Sequence, residues 1–489
     1  MIRKRLSITA FVFAMLLIPL VWSGTAQAQK PSKKARSLAS QGDQLFNRRR
    51  YQEALQKYVE ATRLSPIFPK ARFFKGYTHF KLEQFSDAVA ELDAAERQGY
   101  SKLDVASVRM EAYFANREYE NSLRDATEAV RLSPKTSYYH LFLGRVKMAN
   151  GDPGGASDDL ARAIELGEKS ADVYYYLAIA KGANGDMRGQ AEGAAEALKR
   201  GTAHPGQTWY LLGDAQSRLK MYGEAAKSLT NAKNAFENDF STGRAGDTEE
   251  DDYYNLVVAL AEVYRNLNDF ENAITTAKAG LSRKPNDGAL HTSLAWYYSL
   301  SGRIPDAIAA GRKAVELAPG TYMAHTNLCR AYMDQGEYFY RIDKMADARN
   351  YFNQSISSCK RALQLEPEDG ETNYYLGRAY FYMDNVALSN QHYRKSVPRL
   401  KGYTEENPNY SDGFYLLGNA YFATKQNDEA IDAYTKCLTI SPRFARVRFN
   451  LGYVFMQVGK VDKAKEQYEL LRNLDEDLAK KLLDVINKK

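Results

Sequence analysis

A spacing of 34 residues constrains this chain more than any other feature. Gly42 and Gly76 lie 34 apart, while Gly76 to Gly144 and Pro66 to Pro134 each span 68. Pro285 to Pro319, Pro408 to Pro442 and Gly418 to Gly452 are again 34. A fixed period in this range marks one supersecondary unit copied end to end, each copy burying its apolar face against its neighbours.

The period acquires chemistry once it is placed in register. With the first unit starting at Ala35, Gly falls at position 8, a bulky residue at 11, small residues at 20 and 27, an aromatic or Leu at 24, and Pro at 32. Unit one then carries Gly42, Leu45, Ala54, Tyr58, Ala61 and Pro66; unit eight, from Gly288, carries Ala295, Tyr298, Ala307, Gly311, Ala314 and Pro319. Small residues allow two helices of a hairpin to approach, bulky ones fill the gaps, and Pro ends the second helix because it lacks an N–H. Gly151, Gly185, Gly302 and Gly459 fall at position 15, where the turn between the helices begins.

This pattern resembles the tetratricopeptide repeat family, whose signature reads W-x2-L-G-x2-Y, A-x3-F, A and P. The clearest matches are Tyr415, Leu417, Gly418, Tyr421, Ala430, Tyr434 and Pro442, and Trp209, Leu212, Gly213, Ala225 and Leu229. The resemblance runs from about residue 35 to 472. It implies an all-α, right-handed superhelical solenoid of about twelve helix-turn-helix repeats.

Three slips interrupt the rhythm. Residues 239–253, with the run Asp247 to Asp252, read as an acidic solvated loop between an N-terminal array (29–238) and a C-terminal array (254–475). Unit nine, from Tyr322, reaches its Pro367 only 48 residues after Pro319, so both helices of a hairpin near 322–367 are expected to be lengthened. Unit ten runs 41 residues, from Gly377 to Gly418, with its second helix expected to pass Pro398 toward Asn407. The last segment, 476–489, reads as an amphipathic capping helix with Leu478, Leu482, Leu483 and Ile486 on one face.

Arg3, Lys4 and Arg5, an apolar run from Leu6 to Trp22 and Ala26-Gln27-Ala28 form the layout of a signal peptide spanning 1–28. Cleavage would leave a chain starting at Gln29; an uncleaved anchor is the alternative. Removing three positive charges takes the net charge from +7 to +4, with no basic stripe of the kind a nucleic-acid binder presents. No second apolar run is long enough to span a bilayer after cleavage. The expected location is therefore export, to the periplasm or outer membrane or beyond the cell.

Cys329, Cys359 and Cys437 fall at small-residue positions and are expected to be buried thiols, with a Cys329–Cys359 bridge as the alternative. His140, His291 and His325 occupy position 4, where a packing role is expected. No phosphate loop, nucleophile elbow or zinc signature occurs, and no repeat-free stretch could hold a catalytic domain. The reading is non-enzymatic, with no catalytic residue, cofactor or metal.

In such superhelices positions 2, 5, 9, 12 and 13 of each first helix line the concave groove, as the resemblance implies. They place there Phe73, Tyr77 and Phe80, then Tyr374, Arg378, Phe381 and Tyr382, then Tyr415, Asn419 and Phe422, then Phe449, Tyr453 and Met456, with Asn450 beside them at position 6. Aromatics with an occasional Arg or Asn suit capture of an extended segment. The carboxylate clamp of chaperone-binding members is only half matched, by Asn419 and Asn450, because Tyr415 replaces its Lys and its third unit is missing. The expected function is a protein-interaction scaffold of the cell envelope, binding proteins or extended peptide segments. A glycan or small-ligand module, or an accessory subunit of an envelope polymer-handling enzyme, is the alternative.

Overall fold

The computed structural model describes residues 30–243 and 249–488. The expected signal segment lies outside the described residues. Among them are twenty-five helices and no strand. Twenty-four of the helices pair as twelve hairpins, the first formed by Lys33–Asn47 and Tyr51–Leu64, the twelfth by Ala445–Gln457 and Val461–Leu471.

The chain divides into two compact units between Lys169 and Ser170. Unit one holds hairpins one to four. Unit two holds hairpins five to twelve and a closing helix, Glu476–Asn487.

The expected acidic loop is shorter than its residue types suggested. The second helix of hairpin six runs on to Ser241, and the next helix starts at Glu249. Glu250, Asp251 and Asp252 thus sit in a first helical turn, where the positive end of the helix dipole favours carboxylates. Glu250 pairs with Arg283 and Asp251 with Lys284, each at 2.9 Å.

Backbone geometry shows why the 34-residue frame persists. Every hairpin turns through one residue with positive φ. Gly151, Gly185, Gly302 and Gly459 adopt values from 76° to 79°, and Arg49, Glu83, Arg117, Lys220, Asn268, Asp384 and Lys425 from 58° to 64°. All stand at position 15. The exception is hairpin nine, where the residue is Asp343, 21 positions after Tyr322 rather than the usual 14. Seven of its extra residues therefore lengthen the first helix (Tyr322–Arg341) and the remainder the second (Met345–Leu365). In hairpin ten the second helix spans Val386–Glu406 with Pro398 inside it.

Position 8 faces position 24 across each hairpin, and the fit is tight. A Cβ on Gly144 would fall 2.6 Å from Leu160, and one on Gly418 would fall 2.5 Å from the Tyr434 ring. In hairpin nine the same two positions hold Cys329 and Cys359, which form a disulfide with a Cα–Cα distance of 5.3 Å. The expectation of three free thiols fails there, because a pair normally made of one small and one bulky side chain has become a covalent bond. Cys437 alone of the three is free, and it is buried. The added turns bring a second small–large pair, with Phe352 stacked where a Cβ on Gly336 would lie, 2.5 Å away.

Position 4 does more than pack. Nε2 of His140, His291 and His325 donates to the carbonyl oxygens of Pro134, Pro285 and Pro319 at 3.0, 3.1 and 3.0 Å. Arg72 and Arg448 make the same bond to Pro66 and Pro442 at 3.2 and 3.0 Å. Proline's carbonyl has no helical partner at the end of the preceding hairpin, so a long donor six residues on satisfies it and fixes the turn between repeats. At the far end, the closing helix buries Ala479 and Leu482 and covers the last hairpin, with Leu482 packed over Gly452.

Candidate functional site

The inner side of unit two is built from first-helix residues at positions 2, 5, 6 and 9 of successive hairpins. Many of them are charged or phenolic, and their burial demands partners. Arg330 lies between Glu371, at 3.5 Å, and Asp412, at 3.3 Å, and Asp412 also accepts from the Tyr410 hydroxyl at 3.3 Å. Arg378 pairs with Glu337. Burial pushes the Glu371 carboxyl up to about 7, against the pull of Arg330. Burial likewise raises Asp334 despite Arg330 and Arg378 beside it.

A second network centres on Asn419. Its amide donates to the Tyr374 hydroxyl at 3.0 Å, while its carbonyl accepts from Tyr434 at 2.6 Å and from Asn450 at 2.8 Å. One side chain thus joins hairpins ten, eleven and twelve. Both oxygen lone pairs and one amide hydrogen of Asn419 are engaged, leaving little for a peptide backbone.

These contacts revise the sequence-derived list. Tyr374 and Tyr415 are buried, at 2% and 6% exposure, and so belong to the core as much as to a surface. Asn419 and Asn450 bond each other, and Arg378 is held by Glu337. Tyr382 stacks on Phe352, with ring centroids 4.9 Å apart. Phe422, Phe449 and Tyr453 are half-buried and form one aromatic chain. Phe381 is open to solvent, at 60% exposure. The physical reason is common to most of them: adjacent first helices converge on the inner side, so long side chains there meet one another.

What remains open is a cavity of about 920 Å³. Its walls reach from Ser299 and Ile304 in hairpin eight, past Arg330, Asp334, Tyr375, Arg378 and Tyr415, to Arg446 and to Leu478 and Lys481 on the closing helix. Two groups in it lack what their burial calls for. The Ser299 hydroxyl is buried with no hydrogen-bond partner among the described residues, and Asp334 makes no ion pair there. Around them stand Arg341, Arg443, Arg446 and Lys481, cations that make no ion pair among the described residues and were not among the residues picked from sequence. Arg446 occupies position 2 and was visible there; Ser299 and Lys481 lie outside the groove positions and gave no signal.

Unit one has its own cleft, of about 440 Å³. Phe73 and Tyr77 line it, together with Phe74, Tyr100, Asp104, Ser107, Val108, Glu111, Tyr138 and Tyr139. Phe80 stacks beside Tyr77 at its edge, with centroids 6.3 Å apart. Among the described residues no group of three or more His, Cys, Asp or Glu could hold a metal, and no helix is long and apolar enough to cross a membrane.

With hairpins, register and inner surfaces in place, comparison with known proteins fixes the class. Tetratricopeptide repeat profiles match residues 40–101, 109–171, 258–321 and 445–477, and a TPR repeat profile matches 418–459. The chain belongs to the tetratricopeptide repeat family, a solenoid class that binds protein or peptide partners. A comparison with curated protein sequences returns no match. Among solved structures the chain is similar to the Cut9-Hcn1 hetero-tetramer of APC/C, at 14% identity over 93% of this chain and 96% of that one, TM-score 0.39. It is also similar to a tetratricopeptide repeat protein from Parabacteroides merdae ATCC 43184, at 15% identity over 54% of this chain and 98% of the other, TM-score 0.37. MamA (residues 41-end) from Desulfovibrio magneticus RS-1 matches at 15% identity over 35% of this chain and 96% of its own, TM-score 0.33.

Proposed function

We propose that this chain is an exported, non-catalytic scaffold that holds an extended segment of a cell-envelope protein in the cavity of unit two. The observation that carries the reading is the cavity itself. It combines a fixed polar wall with a buried hydroxyl that has no hydrogen-bond partner, a desolvated carboxylate that makes no ion pair, and four cations that make none either, all among the described residues. Preorganised polar groups in a concave, partly aromatic site favour binding because little ordering remains to be done when the partner arrives. Export is supported by the basic–apolar–small layout of residues 1–28 and by the Cys329–Cys359 bridge, since disulfides persist in oxidising compartments.

The test is proximity labelling in intact cells with the full chain, beside Arg446→Glu and Lys481→Glu variants. The reading expects envelope proteins among the labelled partners and their loss in the variants at unchanged thermal stability. Labelling confined to cytoplasmic proteins, or an identical partner set in the variants, sinks it. Retention of glycan strands by the purified protein, with the same dependence on Arg446 and Lys481, would replace the peptide with a sugar polymer.

A further inference from the structure

The cleft of unit one has a different chemistry from the cavity of unit two, and it can be read further. Its walls are aromatic and acidic, with no Lys or Arg among the lining residues. The buried Phe73 stacks on Tyr100 with centroids 4.5 Å apart and an interplanar angle of 18°, which holds the Tyr100 ring in place as one wall. Glu111 accepts from the Tyr138 hydroxyl at 2.6 Å through one oxygen, so its carboxylate is held in place while its second oxygen stays available. Asp104 is exposed at the mouth and makes no ion pair among the described residues. Its charge is felt by the phenols around it: burial first, and Asp104 second, raises Tyr100 above the ordinary tyrosine range.

The cations of the neighbourhood stand outside. Lys81 lies over the rings of Tyr77 and Phe80, at 5.1 and 4.9 Å, and Arg145 lies against Phe114 and Phe142. Lys75 is taken up by Glu91 at 2.8 Å. Among the lining rings Phe74 and Tyr77 already carry Lys70 and Lys81, at 5.5 and 5.1 Å, while Asp104 and Glu111 make no ion pair among the described residues. A ring face carries partial negative charge, and a cation held over it beside a carboxylate is attracted by both.

We propose that this cleft is a second binding site, specific for a cationic side chain, arginine or lysine, presented by an extended partner segment. The outer face of Tyr100, backed by Phe73, suits a guanidinium or an alkyl-ammonium stem, and Asp104 and Glu111 line the same cleft to receive its N–H groups. The charge complementarity selects against acidic and neutral segments. The site is separate in residues from the unit-two cavity, so either can fail without the other.

The test uses the chain from residue 29 to 489 and a fluorescein-labelled Gly-Arg-Gly-Arg-Gly peptide, followed by fluorescence anisotropy at low and high salt. Peptides with Gln or Glu in place of Arg serve as comparisons. The expected result is binding of the Arg peptide, with the Gln and Glu forms weaker by about tenfold or more. Asp104→Asn/Glu111→Gln should lose a similar factor at unchanged melting temperature. Asp87→Asn/Glu120→Gln, which removes two exposed carboxylates outside the cleft, should bind as the parent does. The proposal is overturned if the Gln peptide binds as tightly, which would make the cleft a neutral aromatic groove. It is equally overturned if the Asp87/Glu120 variant loses as much, or if self-association of the protein in place of peptide binding accounts for the dependence on Asp104 and Glu111.

Discussion

Reduction of the Cys329–Cys359 bond is a clean perturbation, because it removes a covalent constraint without changing any residue. The two cysteines are 30 residues apart in sequence. Closing a loop of that length in the unfolded chain lowers its entropy by an amount equivalent to about 3.6 kcal/mol at room temperature. Repeat arrays unfold in parts, so the effect should concentrate in hairpin nine and its neighbours. Thiol titration in denaturant should find one thiol before reduction and three after, the first being Cys437. In the native protein Cys437 should not attack the bond, since burial pushes its thiol up to about 12. Hydrogen exchange then supplies the magnitude: amides of residues 322–365 should lose protection by two to three orders of magnitude on reduction, while those of hairpins one to four keep theirs. Equal exchange in the two redox states, or three thiols titrating before reduction, would refute the reasoning.

Three further outcomes can be stated. Glu371 releases its proton at about 7 in the folded chain and at its ordinary value of 4.5 when unfolded. Its contribution to stability is therefore full below 4.5 and lost as pH rises through 7, by at most about 3 kcal/mol, so Glu371→Gln should differ from the parent in the change of denaturation midpoint across that window. Asn419→Ala strands the hydroxyls of Tyr374 and Tyr434 and the amide of Asn450, so it should cost about 2–4 kcal/mol in chemical denaturation, more than Asn450→Ala does. Gly302→Ala, at a φ of 77°, should cost about 1 kcal/mol in melting experiments, and Lys220→Gly, at 62°, should gain up to about that amount.

The fold was legible because its rules are local and repeated. Gly at position 8 and Pro at position 32 depend on contacts within one hairpin or with the next, so sequence spacing encodes them directly. The inner surface was not legible for the opposite reason. Asn419 and Asn450 stand 31 apart, the separation needed to grip a peptide together and equally the separation that lets them bond each other at 2.8 Å. Only the convergence of neighbouring helices decides between the two. The acidic run misled because carboxylates are at home both in solvated loops and in first helical turns. The role of position 4 was available but unread: His140, His291, His325, Arg72 and Arg448 share a reach and a donor, and a purely apolar packing role would not have selected those two residue types together.

The lengthening of hairpin nine by seven residues per helix carries a consequence for how such a chain can change over time. Seven residues make almost two full turns of an α-helix. An insertion of that size pushes the turn outward while leaving every inward-facing side chain, above and below, on the side it occupied before. An insertion of five would rotate the new tip by roughly 140°, toward a different neighbour. Growth of an individual repeat is thus quantised: the reach of a hairpin can be altered in steps of about 10 Å, at 1.5 Å per residue, without renegotiating contacts with the repeats on either side. Within unit two the hairpins are like the teeth of a comb, each open to lengthening on its own.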